Sequence, residues 1–266
     1  MAGFRRRVDI IASYTKPGNE HGSEQGGEVR AALEDDFHHF RVWVRHKAGS
    51  VTAIGGEALR FPYSACPQAT GQLQQLLGMP LSKVAHSVTR QTDASRQCTH
   101  LLDLAGLAIA AAACGTEKRR YDIFVGERVN QRTRATLVRD GNEDLTWDID
   151  GTHIEGPYAY AGVNLREGMA KWALSNLSED VAEAALLLRR CTLISMGRAY
   201  NLDAQVHAVN TGHCYTQQPE RAEQALRMKG STLDFSNEGQ KLCGEDQGWL
   251  RDRSVTAGPH PQPLSR

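Results

Sequence analysis

Two blocks of this chain alternate apolar and polar side chains, and that period of two commits much of it to β-sheet. In the first block, Phe40-Arg41-Val42-Trp43-Val44-Arg45-His46 runs into the turn Lys47-Ala48-Gly49-Ser50, and 51–59 returns as its hairpin partner. In the second, 121–129, 133–139 and 145–149 are separated by Asn130-Gln131 and Asp140-Gly141-Asn142, the pattern of a β-meander. Helical periods lie between and after the blocks. Pro67 suits the first turn of a helix that carries Leu73, Leu76 and Leu77 and stops at Gly78. The stretch 99–113 places Leu101, Leu104, Ala105, Ala108 and Ala112 on one stripe, small enough to pack closely on a sheet, and Cys114-Gly115 closes it. Further helices are predicted over 165–177, from the Ser178 cap with Glu179 and Asp180 to about Tyr200, and from Pro219-Glu220 to just before Gly230.

The fold class expected is therefore α+β: a module of β-hairpin and helices, then a β-meander and a helical C-terminal part. The stretch 13–28 is rich in Gly, Ser and charge, so 1–29 is expected to be a flexible arm. The module spans 30–115, the meander and its helices span 116–243 and pack on it, and 244–266, ending in Gly258-Pro259-His260-Pro261, reads as a disordered tail.

Composition narrows the function classes. Lys plus Arg number 31 and Asp plus Glu number 31, so no global field favours nucleic acid or an anionic membrane. No stretch approaches the roughly 20 apolar residues of a membrane span, and no apolar run follows the Arg5-Arg6-Arg7 cluster as a secretory signal requires. A cytoplasmic protein is expected. Its 6 cysteines form no CxxC pair, which favours free thiols over a disulfide framework.

The strongest ligand types fall at the ends of predicted elements, where side chains converge. Glu34-Asp35-Asp36-Phe37-His38-His39 precedes the first strand of the first block, Cys66 lies between hairpin and helix, and Cys98-Thr99-His100 opens the Ala-rich helix, where N-terminal amides favour thiolate. Asp36, Cys66, Cys98 and His100 make a plausible tetrahedral set for one divalent ion, zinc or iron, and Glu34 or His38 would serve as general acid or base. Taken singly, each cysteine is as well explained by packing. His213-Cys214-Tyr215 offers a second ligand pair or an active-site wall but reads better as a loop with a buried Cys, and Arg189, Arg190 and Arg198 could bind a carboxylate or phosphate but read better as partners of nearby acids.

The order of these features resembles the NifU-type iron–sulfur scaffold. An acidic segment, a β-hairpin, Cys66-Pro67-Gln68-Ala69 with Leu77-Gly78, and Cys98 opening an Ala-rich helix follow that family's sequence over about 33–113. The resemblance implies Asp36, Cys66 and Cys98 as metal-binding positions. The family's first Cys is Glu34 here and the His before its last Cys is Gln97, and losing a thiolate favours a mononuclear site over a bridging cluster. Over most of its length the chain also resembles the bacterial domain-of-unknown-function family 2889, at 33–40, Cys98-Thr99-His100-Leu101, 141–147, Leu188-Arg189-Arg190 and Cys214-Tyr215-Thr216. The expected function is a metal-dependent enzyme, a lyase or hydrolase, acting on a small carbonyl-bearing or aromatic substrate. The alternatives are a scaffold handling metal or iron–sulfur clusters, and a binding module with structural zinc.

Overall fold

The computed structural model describes residues 2–15 and 26–252. Its backbone is one antiparallel sheet of 8 strands in the order β4-β3-β2-β1-β5-β6-β7-β8. These strands are β1 (Gly3–Tyr14), β2 (Gly26–Asp35), β3 (His39–Lys47), β4 (Ser50–Arg60), β5 (Lys118–Gly126), β6 (Arg132–Arg139), β7 (Asn142–Asp150) and β8 (His153–Gly156). Both alternating blocks form strands as expected, at opposite ends of the sheet.

What joins them is β1, which pairs with β2 on one side and with β5 on the other. The expectation of a flexible arm over 1–29 is corrected for this segment: it lies at the centre of the sheet. Phe4, Val8 and Ile10 alternate inward as a strand requires, but Arg6 fills the inward position between Phe4 and Val8 and is 1% exposed. An inward arginine hides the period until its partner, Asp35, is seen. Residues 16–25, the middle of the expected loop, lie outside the described residues.

The helices are α1 (Val88–Gln91), α2 (Thr99–Cys114), α3 (Met169–Asn176), α4 (Glu179–Ser195) and α5 (Asp246–Arg251). Helix α2 packs on β2 and β3, and α4 packs on β1 and β5 to β7. Together they bury one face of the sheet in a core that includes Leu33, Phe40, Val42, Leu101, Leu104, Trp147 and Leu188. Gly106 lets α2 approach the chain closely, since a Cβ there would stand 2.3 Å from the Ala85 carbonyl oxygen. The opposite face of β1 and β2 is covered by the C-terminal segment, where Ala32, Cys243 and Leu250 form a small core of their own.

Three further expectations change. The helix expected after Pro67 is a 3-10 run, Cys66–Leu76, which buries Leu73 and Leu76 and leaves Leu77 exposed. No long helix follows Pro219. Instead Ser64, Ala208, Arg227 and Met228 donate their amides to Leu226, Ala225, Val206 and Pro62, so this segment satisfies its backbone by pairing across chain segments and keeps only the short turn Ala222–Gln224. The tail expected over 244–266 begins with an ordered helix, α5; residues 253–266 lie outside the described residues. Among the described residues no helix is long and apolar enough to cross a membrane.

Candidate functional site

The turn between β2 and β3 sets the site. Glu34 and His39 are paired across the strands, so they share a face, and the alternation places Asp35 and His38 on the other one. Asp35 faces the α2 side. Its carboxylate accepts the backbone amides of Phe37 (2.7 Å) and His38 (2.8 Å), which closes the turn. It also takes Nε and Nη2 of Arg6, at 2.8 and 2.5 Å, and its Oδ1 lies 3.1 Å from Nδ1 of His38.

Burial alone would raise the Asp35 carboxyl, but Arg6, His38 and His100 together hold it well below the usual carboxylate range. It is therefore ionised and accepts a hydrogen bond from His38 Nδ1; in the neutral ring that bond leaves the lone pair on Nε2. The imidazole of His100, brought by the first turn of α2, stacks on His38 with centroids 3.9 Å apart. Burial and the neighbouring His38 and Arg6 keep His100 well below its ordinary value, so it is neutral. Its Nε2 is buried and has no hydrogen-bond partner among the described residues.

These two rings form part of the wall of a cavity of about 340 Å³. Phe37, Phe40 and Ile194 continue that wall, Cys66, Ala69 and Cys98 line another side, and Tyr63, Leu202 and 213–217 close the remainder. Cys66 and Cys98 are buried and Cys214 half-buried. Burial pushes the Cys98 thiol up to about 12 although the amides of His100 and Leu101 pull the other way, so the thiolate expected from the helix terminus does not form unaided. Burial and the nearby Cys98 push Cys66 up as well. The Thr216 hydroxyl lies 3.3 Å from Cys214 Sγ and also beside Cys66.

The candidate residues of the sequence thus divide. His38, Cys66, Cys98 and His100 share this cavity. Asp36 does not join them: it is ion-paired with Arg198 and accepts the Phe235 amide at 3.3 Å. Burial pushes its carboxyl up to about 6, against the pull of Arg198. Glu34 lies on the opposite face, where it accepts the Cys243 amide at 2.8 Å and pairs with Arg60 at 3.2 Å. Arg190 pairs with Asp103 at 2.7 Å.

Asp35 in place of Asp36 was legible in principle. Leu33 is an inward position of β2, and a step of two places Asp35 beside it. Two groups of three ligand-type side chains have their atoms within 4.8 Å of one another among the described residues: Asp35, His38 and His100, and Glu34, His39 and Asp246. In the first, Asp35 already receives five donors against about four lone-pair sites, so it serves better as the residue that orients His38 than as a direct ligand. An imidazole held through Nδ1 by a carboxylate, beside a second imidazole with an orphaned nitrogen, fits a divalent metal ion.

Comparison with known proteins reaches part of the chain. Residues 19–115 match the family described as a protein of unknown function (DUF2889). That span holds β2 to β4, Cys66, Cys98, His100 and all of α2. No curated protein and no solved structure matches the chain.

Proposed function

We propose that the chain is a metal-dependent enzyme that acts on a small organic substrate in this cavity, with His38 and His100 as ligands of one zinc or iron ion. The observation that carries the reading is the buried, partnerless Nε2 of His100 stacked beside a histidine whose other nitrogen is fixed by Asp35. A buried nitrogen without a partner is costly, and a cation supplies one. Carboxylate-held histidines are the usual form of such ligands. An ion here would polarise a carbonyl or activate water, with coordination positions left for water and substrate.

The test is elemental analysis of protein purified anaerobically, beside His38→Ala and His100→Ala. About one ion per chain in the wild type, lost in both variants, is the expected result. Equal metal in all three, or none in a folded wild type, overturns the reading.

One observation favours a second reading, a scaffold that holds metal or iron–sulfur cargo. Cys214, from outside the matched span, lines the same cavity as Cys66 and Cys98. It offers the third thiolate that Glu34 does not, and the run β2–β3–β4 with Cys66 after it and Cys98 capping α2 supports the NifU-like resemblance. Reconstitution with iron and sulfide would then give a chromophore that Cys214→Ser abolishes.

A further inference from the structure

Arg190 lines the cavity without a part in the ion site. It stands on α4, and Asp103 on α2 takes its Nε at 2.7 Å and its Nη2 at 3.4 Å, which ties the two helices together. Both side chains are half-buried. That grip uses one edge of the guanidinium. Nη1 has no hydrogen-bond partner among the described residues, so the other edge still carries unused donors.

Placement gives the pair a direction. Arg190 lines both the cavity and a small cleft bounded by α2, α4 and 84–88, whereas Asp103 lines only the cleft. The ion pair therefore turns its cation to the cavity and its anion away. Among the described residues no Asp, Glu or Lys lines the cavity, and an arginine keeps its charge at every working pH. Phe37, Phe40, Ala69, Ile194 and Leu202 make much of the remaining wall apolar. A positive charge beside an apolar space favours a ligand that brings one negative charge, because a buried charge left unpaired is costly. The ion proposed at His38 and His100 would add to this preference.

We propose that Arg190 is a specificity-determining residue of the cavity, and that the ligand it selects is a small organic acid bearing one carboxylate. Nη1 donates to a carboxylate oxygen while Asp103 holds the guanidinium in place, and the apolar body of the acid lies against Phe37, Phe40 and Ile194. A planar carboxylate matches the edge of a guanidinium, which a lysine would not reproduce. A phosphoryl group fits less well, since it brings up to about two charges and three acceptor oxygens to an arginine with one edge already taken. A volume of about 340 Å³ stands at the low end of small-molecule sites and limits the acid to about one ring. The inference rests on the reading of this cavity as the substrate site but not on the ion, since Arg190 belongs to the chain.

The experiment is a calorimetric titration of the full chain with benzoate, its neutral counterpart benzamide, and phenyl phosphate, on metal-free protein and on protein supplied with zinc. Benzoate is expected to bind at least about tenfold more tightly than either competitor in both forms, the scale of one hydrogen bond to a charged group. Arg190→Gln is expected to remove that preference from the metal-free protein and leave benzamide affinity unchanged. Arg190→Gln combined with Asp103→Asn, which leaves no orphaned acid between the helices, is expected to do the same. Asp103→Asn alone keeps Arg190 and frees its guanidinium, so the preference for benzoate is expected to be kept or increased.

Preference for benzamide or phenyl phosphate overturns the proposal, as does failure of the folded metal-free protein to bind benzoate. A preference that survives in the folded double variant also overturns it, because another group then selects the acid. An equal fall in benzoate and benzamide affinity does so too, since Arg190 is then a packing residue. Zinc content is read separately on the same samples. A chain that takes no zinc yet selects benzoate through Arg190 upholds this inference and removes the metal; a chain that binds zinc while Arg190→Gln leaves benzoate unaffected does the reverse.

Discussion

Two carboxylate–histidine sets sit back to back across the sheet at the β2–β3 turn, built from neighbouring residues. On the outer face, His39 lies between Asp246, at 2.9 Å from Nε2, and Glu34, at 3.6 Å from Nδ1. Asp246 in turn takes Nε of Arg41 at 2.6 Å, and Glu34 takes the Cys243 amide. Every member has a partner, and the result is a clamp that fastens α5 to the sheet. On the inner face, Asp35 is equally well supplied, but among the described residues neither His38 nor His100 has a hydrogen-bond partner at Nε2, that of His100 is buried, and both rings look onto a cavity. The same residue types therefore do different work according to whether the hydrogen-bond inventory closes. Closure holds a structure together, and the open imidazole positions are where the ion proposed above would bind.

The largest expected effect breaks the inner set at its root. Asp35→Ala leaves Arg6, 1% exposed, as a buried charge without its partner, a loss of about 3–5 kcal/mol in urea unfolding. A loss of about 0.5 kcal/mol, as at an ordinary surface position, would show that the Arg6–Asp35 pair is not the anchor of the turn. The outer set is expected to yield less. Asp246→Asn weakens the bonds to His39 and Arg41, for about 1–3 kcal/mol, read locally from Trp249, whose ring lies 5.0 Å from the Arg41 guanidinium.

The pH dependence of that clamp has a definite sign. Burial opposes ionisation of Asp246, but hydrogen bonds from His39 and Arg41 outweigh it and hold the carboxyl below its ordinary value. Its folded pKa is thus depressed, so its contribution is present above an unfolded value of about 3.9 and is lost as pH falls through the folded pKa. Acid titration of Trp249 fluorescence should show α5 loosening below about pH 4, and Asp246→Asn should flatten that transition. An unchanged profile would detach the linkage from Asp246.

The two sets also show what a sequence can and cannot declare. The strands β3 to β7 and helices α2 and α4 are legible because their periods are uninterrupted. β1 is hidden by inward Arg6, and β8, His153–Gly156, is too short to show a period. The cavity's histidines and two of its cysteines were readable from their placement at element ends. The choice between Asp35 and Asp36 turns on which of two adjacent carboxylates points inward, and becomes readable only once 26–35 is taken as a strand and its alternation is carried two residues past Leu33. Cys214 and Asp246 come from segments more than 100 residues away, held by irregular loops and a six-residue helix. Cys214 stood out in the sequence only within the loop His213-Cys214-Tyr215 and nothing local marks Asp246; the assembled fold alone brings Cys214 to the cavity of Cys66 and Asp246 to His39.

The smallest expected change in stability is the most discriminating. His100→Phe keeps a ring of similar size against His38 and Phe40 and removes the nitrogen that has no partner, so unfolding should move by no more than about 0.5 kcal/mol, or toward greater stability. His39→Phe makes the same substitution on the outer face, where Asp246 loses its hydrogen-bond partner at 2.9 Å, and should cost about 1–3 kcal/mol. Metal content should follow the opposite order, lost in His100→Phe and kept in His39→Phe. If both variants lose stability alike, His100 has a structural partner after all and the contrast between the faces disappears. If His100→Phe is stable and still binds one ion per chain, the open nitrogen is only a tolerated defect of the core, and the thiol wall becomes the place to look for the metal.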